Sequence, residues 1–377
     1  MGFVNYIGLY RFSLSSAQVG YRDLNPRPSH SRFWGVVLSS VVRRVQFTGK
    51  STYIISLPKD WARSIGITRG SKVFIEIMPD NSLRIRPEPR VSEVKLAKIV
   101  DLGAGLDINT AMREIIAAYI AGFESFRVNF NSKTSEAARK LRSLMDAKLA
   151  NVVLVDEGVD SFTYKVVGPP KPLTMMDATS WLSRLVNNTF SDLLRGLRDG
   201  DLEALKLVME RDDLVDKAYL MVTRYLTKIL MGEVTVDKAG ISSHAEAVHY
   251  YHAFKTLERI ADHLSTIASE STKILEAGGR IESSLVKFLE ELSQILRTVT
   301  EALVDLDVET ARSTALQIEI LKTKLGQLLM AAEGLNKDAR HVTIITSIGR
   351  LLGYSLDLAE IVFDIKTVKT VSETLYE

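Results

Sequence analysis

The strongest constraint on the fold is a set of six apolar stripes that fill the second half of the chain. Trp181, Leu182, Leu185, Val186, Phe190, Leu193, Leu194 and Leu197 recur at spacings of three and four, the period that lines one face of an α-helix. Comparable stripes run through 202–230, 242–275, 281–305, 308–332 and 339–367. At about 1.5 Å per residue each helix is roughly 35 to 50 Å long, and six of them make two three-helix bundles more naturally than one globule. Internal similarity points the same way. Asp201 to Ala204 (DLEA) and Asp307 to Thr310 (DVET) open the second and fifth helices alike at an offset of 106 residues. Leu257 to Ala268 corresponds to Ile348 to Ala359 at an offset of 91, with Arg259/Arg350 and Ala268/Ala359 identical. The first repeat therefore holds 15 extra residues between these marks, assigned to the loop around Met231 to Ser243. Duplication of one three-helix unit accounts for all of this.

The first half of the chain follows other periods. Gly168 to Pro172 (GPPKP) reads as a linker, because adjacent prolines exclude both helix and ladder bonding. Before it, 91–170 alternates strand and helix: strands at Val94 to Val100, Phe126 to Phe130, Val152 to Val155 and Thr163 to Val167, helices at Ile108 to Ala121 and Ser135 to Leu149. This predicts a small α/β domain. From Val41 the pattern has period two, with Val45 and Phe47, then Tyr53, Ile55 and Leu57, and later Val73, Ile75 and Ile77 on short strands. Pro58 to Ile65 reads as a turn or two of helix, with Pro58 at its first position and Gly66 as its stop. Thr68 to Ser71 and Pro79 to Ser82 supply turns. Four strands in about 47 residues bury little, so this module is expected to be completed by a second copy. Residues 1–40 have no apolar period and a turn-like NPRPSH stretch at Asn25 to His30. They are expected to be a poorly structured extension, with the true translation start nearer Val36, Val37, Leu38 or Val41. The expected fold is thus multidomain and mainly α: 1–40 extension, 41–90 small β barrel, 91–170 small α/β domain, then three-helix repeats at 172–275 and 280–370.

Composition narrows the function. With no cysteine, disulfides, thiolate zinc sites and cysteine nucleophiles are excluded, and a metal would have to be held by carboxylates and histidines. No run reaches the ~18 apolar residues of a spanning helix, and no leader pattern opens the chain, so a cytoplasmic protein not inserted in a membrane is expected. The net charge of +2 hides a polarity: residues 1–90 carry 14 Lys/Arg against 5 Asp/Glu, and the remainder 34 against 41. Such asymmetry points to a polyanionic partner for the basic end. The chain holds no GxSxG elbow, no GxxxxGK[ST] loop and no GxGxxG loop, and no enzymatic activity is expected.

Two constellations carry chemistry. In the β module, which has 10 basic against 4 acidic residues over 41–90, Arg43, Arg44, Gln46, Thr48 and Lys50 lie along the first strand and Lys59 and Arg63 on the helical turn. Alternation sets Arg44, Gln46, Thr48 and Lys50 on one strand face and Val45 and Phe47 on the other. The polar face suits phosphates and base edges, with Arg and Gln able to make bidentate base contacts and the lysines backbone contacts; the plainer reading is a solvated face. In the helical half, Glu210, Asp213 and Asp216 stand at i, i+3, i+6 and Glu258 and Asp262 at i, i+4. Two acidic ridges facing across a bundle form a carboxylate site for iron, zinc, manganese or magnesium, whereas Lys255 and Arg259 nearby allow an ordinary ion-paired surface. His244, His249, His252 and His263 sit on one helix as weaker ligand candidates.

These residues carry resemblances to known families. Val42 to Trp61 (VRRVQFTGKSTYIISLPKDW), followed by Ile65 to Val73 (IGITRGSKV), resembles the SpoVT-AbrB swapped-hairpin family in the form found at the front of archaeal PhoU-like proteins. The resemblance implies two chains exchanging hairpins to build one DNA-binding barrel. Gly49 and Pro58 are nine positions apart, a longer spacing than in the bacterial transition-state regulators, so individual DNA contacts of those proteins do not carry over. Leu257 to Ala268 (LERIADHLSTIA), with Asp213 to Asp216 (DLVD) before it, resembles the PhoU family of phosphate-uptake regulators, over about 172–370. That family implies an ExxxD motif in each repeat and metal clusters bound there. Glu258 and Asp262 match the motif. Gly349 and Gly353 stand at those positions in the second repeat, and Glu319 and Lys322 pair with Asp213 and Asp216, so one family site is expected to be missing.

The expected function is a homodimeric, DNA-binding regulator of phosphate uptake and cellular phosphate homeostasis, sensing through the helical repeats. A competing class is a signalling adaptor that contacts a phosphate transporter or kinase and uses the β module only to dimerise. A carboxylate-metal enzyme is a third class.

Overall fold

The computed structural model describes residues 41–49, 52–77, 82–87, 96–168, 173–332 and 339–374. The expectations for 1–40, Lys50, the turn at Pro79, the first residues of the strand from Val94 and the prolines of the linker lie outside these residues. The chain divides into two compact units between Ser71 and Lys72, inside the stretch 41–90 read above as one domain.

In the first unit, β1 (Gln46–Thr48) pairs antiparallel with β2 (Thr52–Ile54), Phe47 opposite Tyr53. Their rings meet edge to face at 5.1 Å. Helix α1 (Lys59–Ser64) begins one residue later than the sequence predicts, with Pro58 as its cap. Gly66 ends it at φ +74°: its N–H donates to Arg63 O and the Ile67 N–H to Ala62 O, the paired bonds of a Schellman motif, which needs a left-handed residue here. No residue of α1 is buried, and Val42, Val45, Phe47 and Tyr53 are all more than half exposed.

The second unit opens with an antiparallel hairpin, β3 (Val73–Ile77) on β4 (Leu83–Pro87). Arg86 Nη1 donates to Gly232 O at 3.5 Å, and Arg84 lies against Gly232. Both contacts fall in the 15-residue excess of the first repeat. A four-stranded sheet follows, in the order β5-β6-β8-β7, with β5 (Ala97–Asp101) parallel to β6 (Ser125–Asn129) and β7 (Val152–Glu157) and β8 (Ser161–Val166) antiparallel. Helix α2 (Ile108–Ile120) makes the crossover between β5 and β6, and α3 (Ser135–Lys148) follows β6. Asp107 caps α2 by accepting from the N–H groups of Asn109 and Thr110. Both helices pack on the long helix α5 (Leu202–Leu230).

The six stripes form α4 (Met175–Asp199), α5 (Leu202–Leu230), α6 (His244–Glu276), α7 (Ser283–Asp305), α8 (Val308–Ala332) and α9 (Ala339–Thr374). No proline stands after Pro172, so nothing interrupts their hydrogen-bond ladders. The repeat marks are caps: Asp201 accepts from Glu203 and Ala204 N–H, Asp307 from Glu309 and Thr310 N–H. Both three-helix sets are present, but they are not separate bodies. α6 packs along α9 and α4 along α7, so one core runs through both repeats. Ridges of Leu, Ile and Ala on α6 and α9 are apolar on two sides, and a three-helix set alone would leave one side in water. Among the described residues, α9 is the one helix long and apolar enough to cross a membrane; its buried residues Ile344, Ile348, Leu351 and Leu352 belong to the bundle core.

Candidate metal centre and nucleic-acid face

Helices α5 and α6 lie against each other and bring carboxylates face to face. Asp216, Glu258 and Asp262 each place an oxygen within 4.8 Å of the others. Glu258 is only 8% exposed. Its Oε1 accepts from Lys255 Nζ at 2.5 Å, and its Oε2 is buried without a hydrogen-bond partner. Lys255 is itself held over the Tyr219 ring, 4.8 Å from its centroid.

Asp212, one turn before Asp216, completes the group. Burial, then the charges of Asp262, Asp216 and Asp213, push its carboxyl up to about 7, and its Oδ1 is buried and unpartnered. For Asp262, an exposed residue, partial burial of the carboxyl and then Glu258 and Asp216 push it up to about 6. The expected ridge Glu210, Asp213, Asp216 contributes only Asp216. At 100° per residue, steps of three drift round the helix, so Glu210 and Asp213 are exposed, and Asp213 instead lies 3.7 Å from Lys148 Nζ. The ridge that faces α6 is Asp212 and Asp216, at the same i, i+4 spacing as Glu258 and Asp262; that repeated spacing is the signal which could have identified Asp212. Lys148, at the end of α3, donates to Asp216 Oδ2 at 3.0 Å. No local pattern announces it.

The donor set fits a hard or borderline divalent cation. It is all oxygen, it comes from two rigid helices, and two of its buried oxygens have no hydrogen bond, a state that costs free energy unless a cation or proton supplies a partner. The histidines stand apart. His249 Nδ1 faces Asp364 Oδ2 at 3.4 Å, and the His263 ring rests 5.8 Å from that of Tyr354, its pKa lowered by burial and by Arg350. Among the described residues no histidine joins the carboxylates.

Among the described residues, the second repeat has no such group at the corresponding place. Ile318, at the 106-residue offset from Asp212, is fully buried. Glu319 accepts from Lys322 at 2.7 Å on the surface, and a Cβ at Gly353 would meet nothing within 4 Å.

In the β module, Arg43 and Arg44 precede β1 rather than lying on it. Only Gln46 and Thr48 share a strand face, because pairing with β2 begins at Gln46. Arg43, Arg44, Gln46, Thr48, Lys59 and Arg63 are all exposed, which leaves six polar or basic side chains within reach of a ligand.

Residues 179–271 match the PhoU domain family, and residues 46–93 match the family described as antidote-toxin recognition MazE, bacterial antitoxin. The PhoU match runs from α4 into α6 and contains Asp212, Asp216, Glu258 and Asp262. Among solved structures, the chain is similar to the phosphate transport system regulatory protein PhoU from Streptococcus pneumoniae at 18% identity and TM-score 0.44, covering 51% of this chain and 93% of that one. It is similar to PhoU from Pseudomonas aeruginosa at 19% identity and TM-score 0.45, covering 51% and 95%. No curated protein matches the sequence.

Proposed function

We propose that the protein is a cytoplasmic regulator of phosphate uptake and cellular phosphate homeostasis that binds DNA as a homodimer and senses through its helical half. The observation that carries this reading is the coincidence of the PhoU match over 179–271 with the convergent carboxylates of Asp216, Glu258 and Asp262, with Asp212 beside them. A divalent cation bound there cancels the repulsion among Asp212, Asp216, Glu258 and Asp262. Asp216, Glu258 and Asp262 hold it directly, and Asp212 supports it from the same face.

The β module supplies the output. Its match to a MazE/AbrB-like antitoxin domain, its basic excess and its exposed Arg43, Arg44, Lys59 and Arg63 support contact with nucleic acid. The exposed apolar side chains of β1 and β2 support self-association, since a hairpin without a buried residue does not hold its fold alone. A change of metal or ligand state in the helices alters DNA binding only if it favours one arrangement by a few kcal/mol.

The test is an electrophoretic shift with the gene's own upstream region at graded salt. Replacing Arg43 and Arg44 by Ala is expected to lower the slope of log affinity on log salt by about 2, at ~0.9 per phosphate contact. An unchanged slope rejects the surface. The apolar exposure also favours a second reading, in which the module only dimerises and the helices contact a phosphate transporter or kinase. Capture of membrane fractions undiminished by removal of residues 1–90, with no shift of DNA, selects it.

A further inference from the structure

We propose that Lys148 is a tethered counter-cation of the carboxylate group, displaced when a divalent cation enters, and that its displacement loosens the C-terminal end of α3 on α5. This rests on the reading of the group as a metal site. Lys148 is the last residue of α3 and belongs to the α/β domain, yet its ammonium is bonded to Asp216, one of the three residues whose oxygens converge. Its contacts at the group are Asp216 and, at 3.7 Å, the exposed Asp213. The buried oxygens Glu258 Oε2 and Asp212 Oδ1 stay unpartnered, so the lysine is an incomplete substitute for an ion that reaches several carboxylates at once.

The two cations also oppose each other. A divalent ion bonds carboxylate oxygen at about 2.0 to 2.6 Å, and Lys148 Nζ stands 3.0 Å from Asp216 Oδ2. An ion on Asp216 and the ammonium would then be about 5 Å apart with like charge.

Release has a defined reach because of how the α/β domain is held. Near the carboxylates, α3 is tied to α5 by Lys148 and by Lys217 Nζ donating to Asp146 O at 2.8 Å. At the other end, buried Arg224 donates to the carbonyls of Tyr119, Gly122 and Phe123 and to Glu124. That anchor involves no group of the site. Metal entry therefore loosens one end of the joint and leaves the other fixed, which converts occupancy of the helices into a changed setting of the α/β domain that follows the β module in sequence.

The test uses Mn²⁺ and the full chain, with calorimetry for affinity and hydrogen exchange for 139–149. In the wild type, saturating Mn²⁺ is expected to speed exchange over 139–149 about tenfold. In Lys148→Met the segment exchanges fast without metal and changes less than about twofold on adding it. The variant also binds Mn²⁺ about tenfold more tightly, as loss of a competing, partly buried cation requires. Lys148→Arg, which keeps the charge, behaves as the wild type. Equal Mn²⁺ affinity for wild type and Lys148→Met, or exchange over 139–149 indifferent to Mn²⁺ in the wild type, overturns the inference and leaves the metal site standing. Absence of Mn²⁺ binding in wild type and Lys148→Met alike overturns both.

Discussion

The two helical repeats are built alike and used differently. Each opens its second helix with an Asp cap, Asp201 and Asp307, and each sends its third helix into the shared core. Where α5 meets α6, however, the chain accepts desolvated carboxylates, and at the equivalent place in α8 and α9 it has Ile318, Gly349 and Gly353. Leaving Asp212 Oδ1 and Glu258 Oε2 buried without a partner opposes folding, and a cation or proton offsets that cost. Burying Ile318 assists folding. One repeat carries a site whose stability depends on its surroundings, and the other gives the first a fixed body to pack on.

The sharpest way to break this comparison is to move the charge. Ile318→Asp, which recreates Asp212 without its companions, is expected to destabilise the protein by about 4 kcal/mol or more, as an unpaired charge in a core does. Urea unfolding measures it, and a loss below about 1 kcal/mol would show that the second repeat tolerates charge as the first does. Next in size is packing at the head of the first repeat. A Cβ at Gly196 would approach Leu205 Cδ2 to 2.6 Å, so Gly196→Val should cost about 1 to 3 kcal/mol by overpacking, read in the same experiment.

A smaller effect is tied to pH. The folded pKa values of Asp212 and Asp262 are raised, to about 7 and about 6, so their protonated forms favour the fold. The metal-free protein is expected to lose stability as pH rises from about 4 towards 7, against the usual direction for paired carboxylates. Thermal melts in chelator should show this fall, and Asp212→Asn together with Asp262→Asn should flatten it; a melt that rises over this range in the wild type contradicts the assignment. The smallest effect is a gain. Gly353 is a helix-interior glycine with open space around its missing Cβ, so Gly353→Ala should stabilise the second repeat by up to about 1 kcal/mol, visible as a raised melting temperature.

Much of the fold was legible in the chain because its causes are local. The stripe from 202 to 230 coincides with Leu202–Leu230, since a 3.6-residue period, an Asp cap and the absence of proline leave one outcome. Strand boundaries were less legible: β1 starts at Gln46, not at Arg43, because a strand begins where its partner does. The acidic ridge of α5 was misplaced by one step, since Asp212 and Asp213 are equal candidates until the direction of α6 is known. The docking of Arg84 and Arg86 beside Gly232 had no trace at all, as it joins residues about 146 apart.

The sequence by itself determined six amphipathic helices in two related sets, a basic β-rich front end, and the exclusion of thiolate from any metal site. Each of these follows from period, composition or spacing within a few turns of chain. Only the tertiary structure decided that the repeats share one core, that Asp212 rather than Glu210 completes the carboxylate group, and that Lys148 reaches it from another domain. Those facts depend on which helix faces meet, and a one-residue step rotates a side chain by 100°. The sequence offers both sides of that step, and packing chooses one.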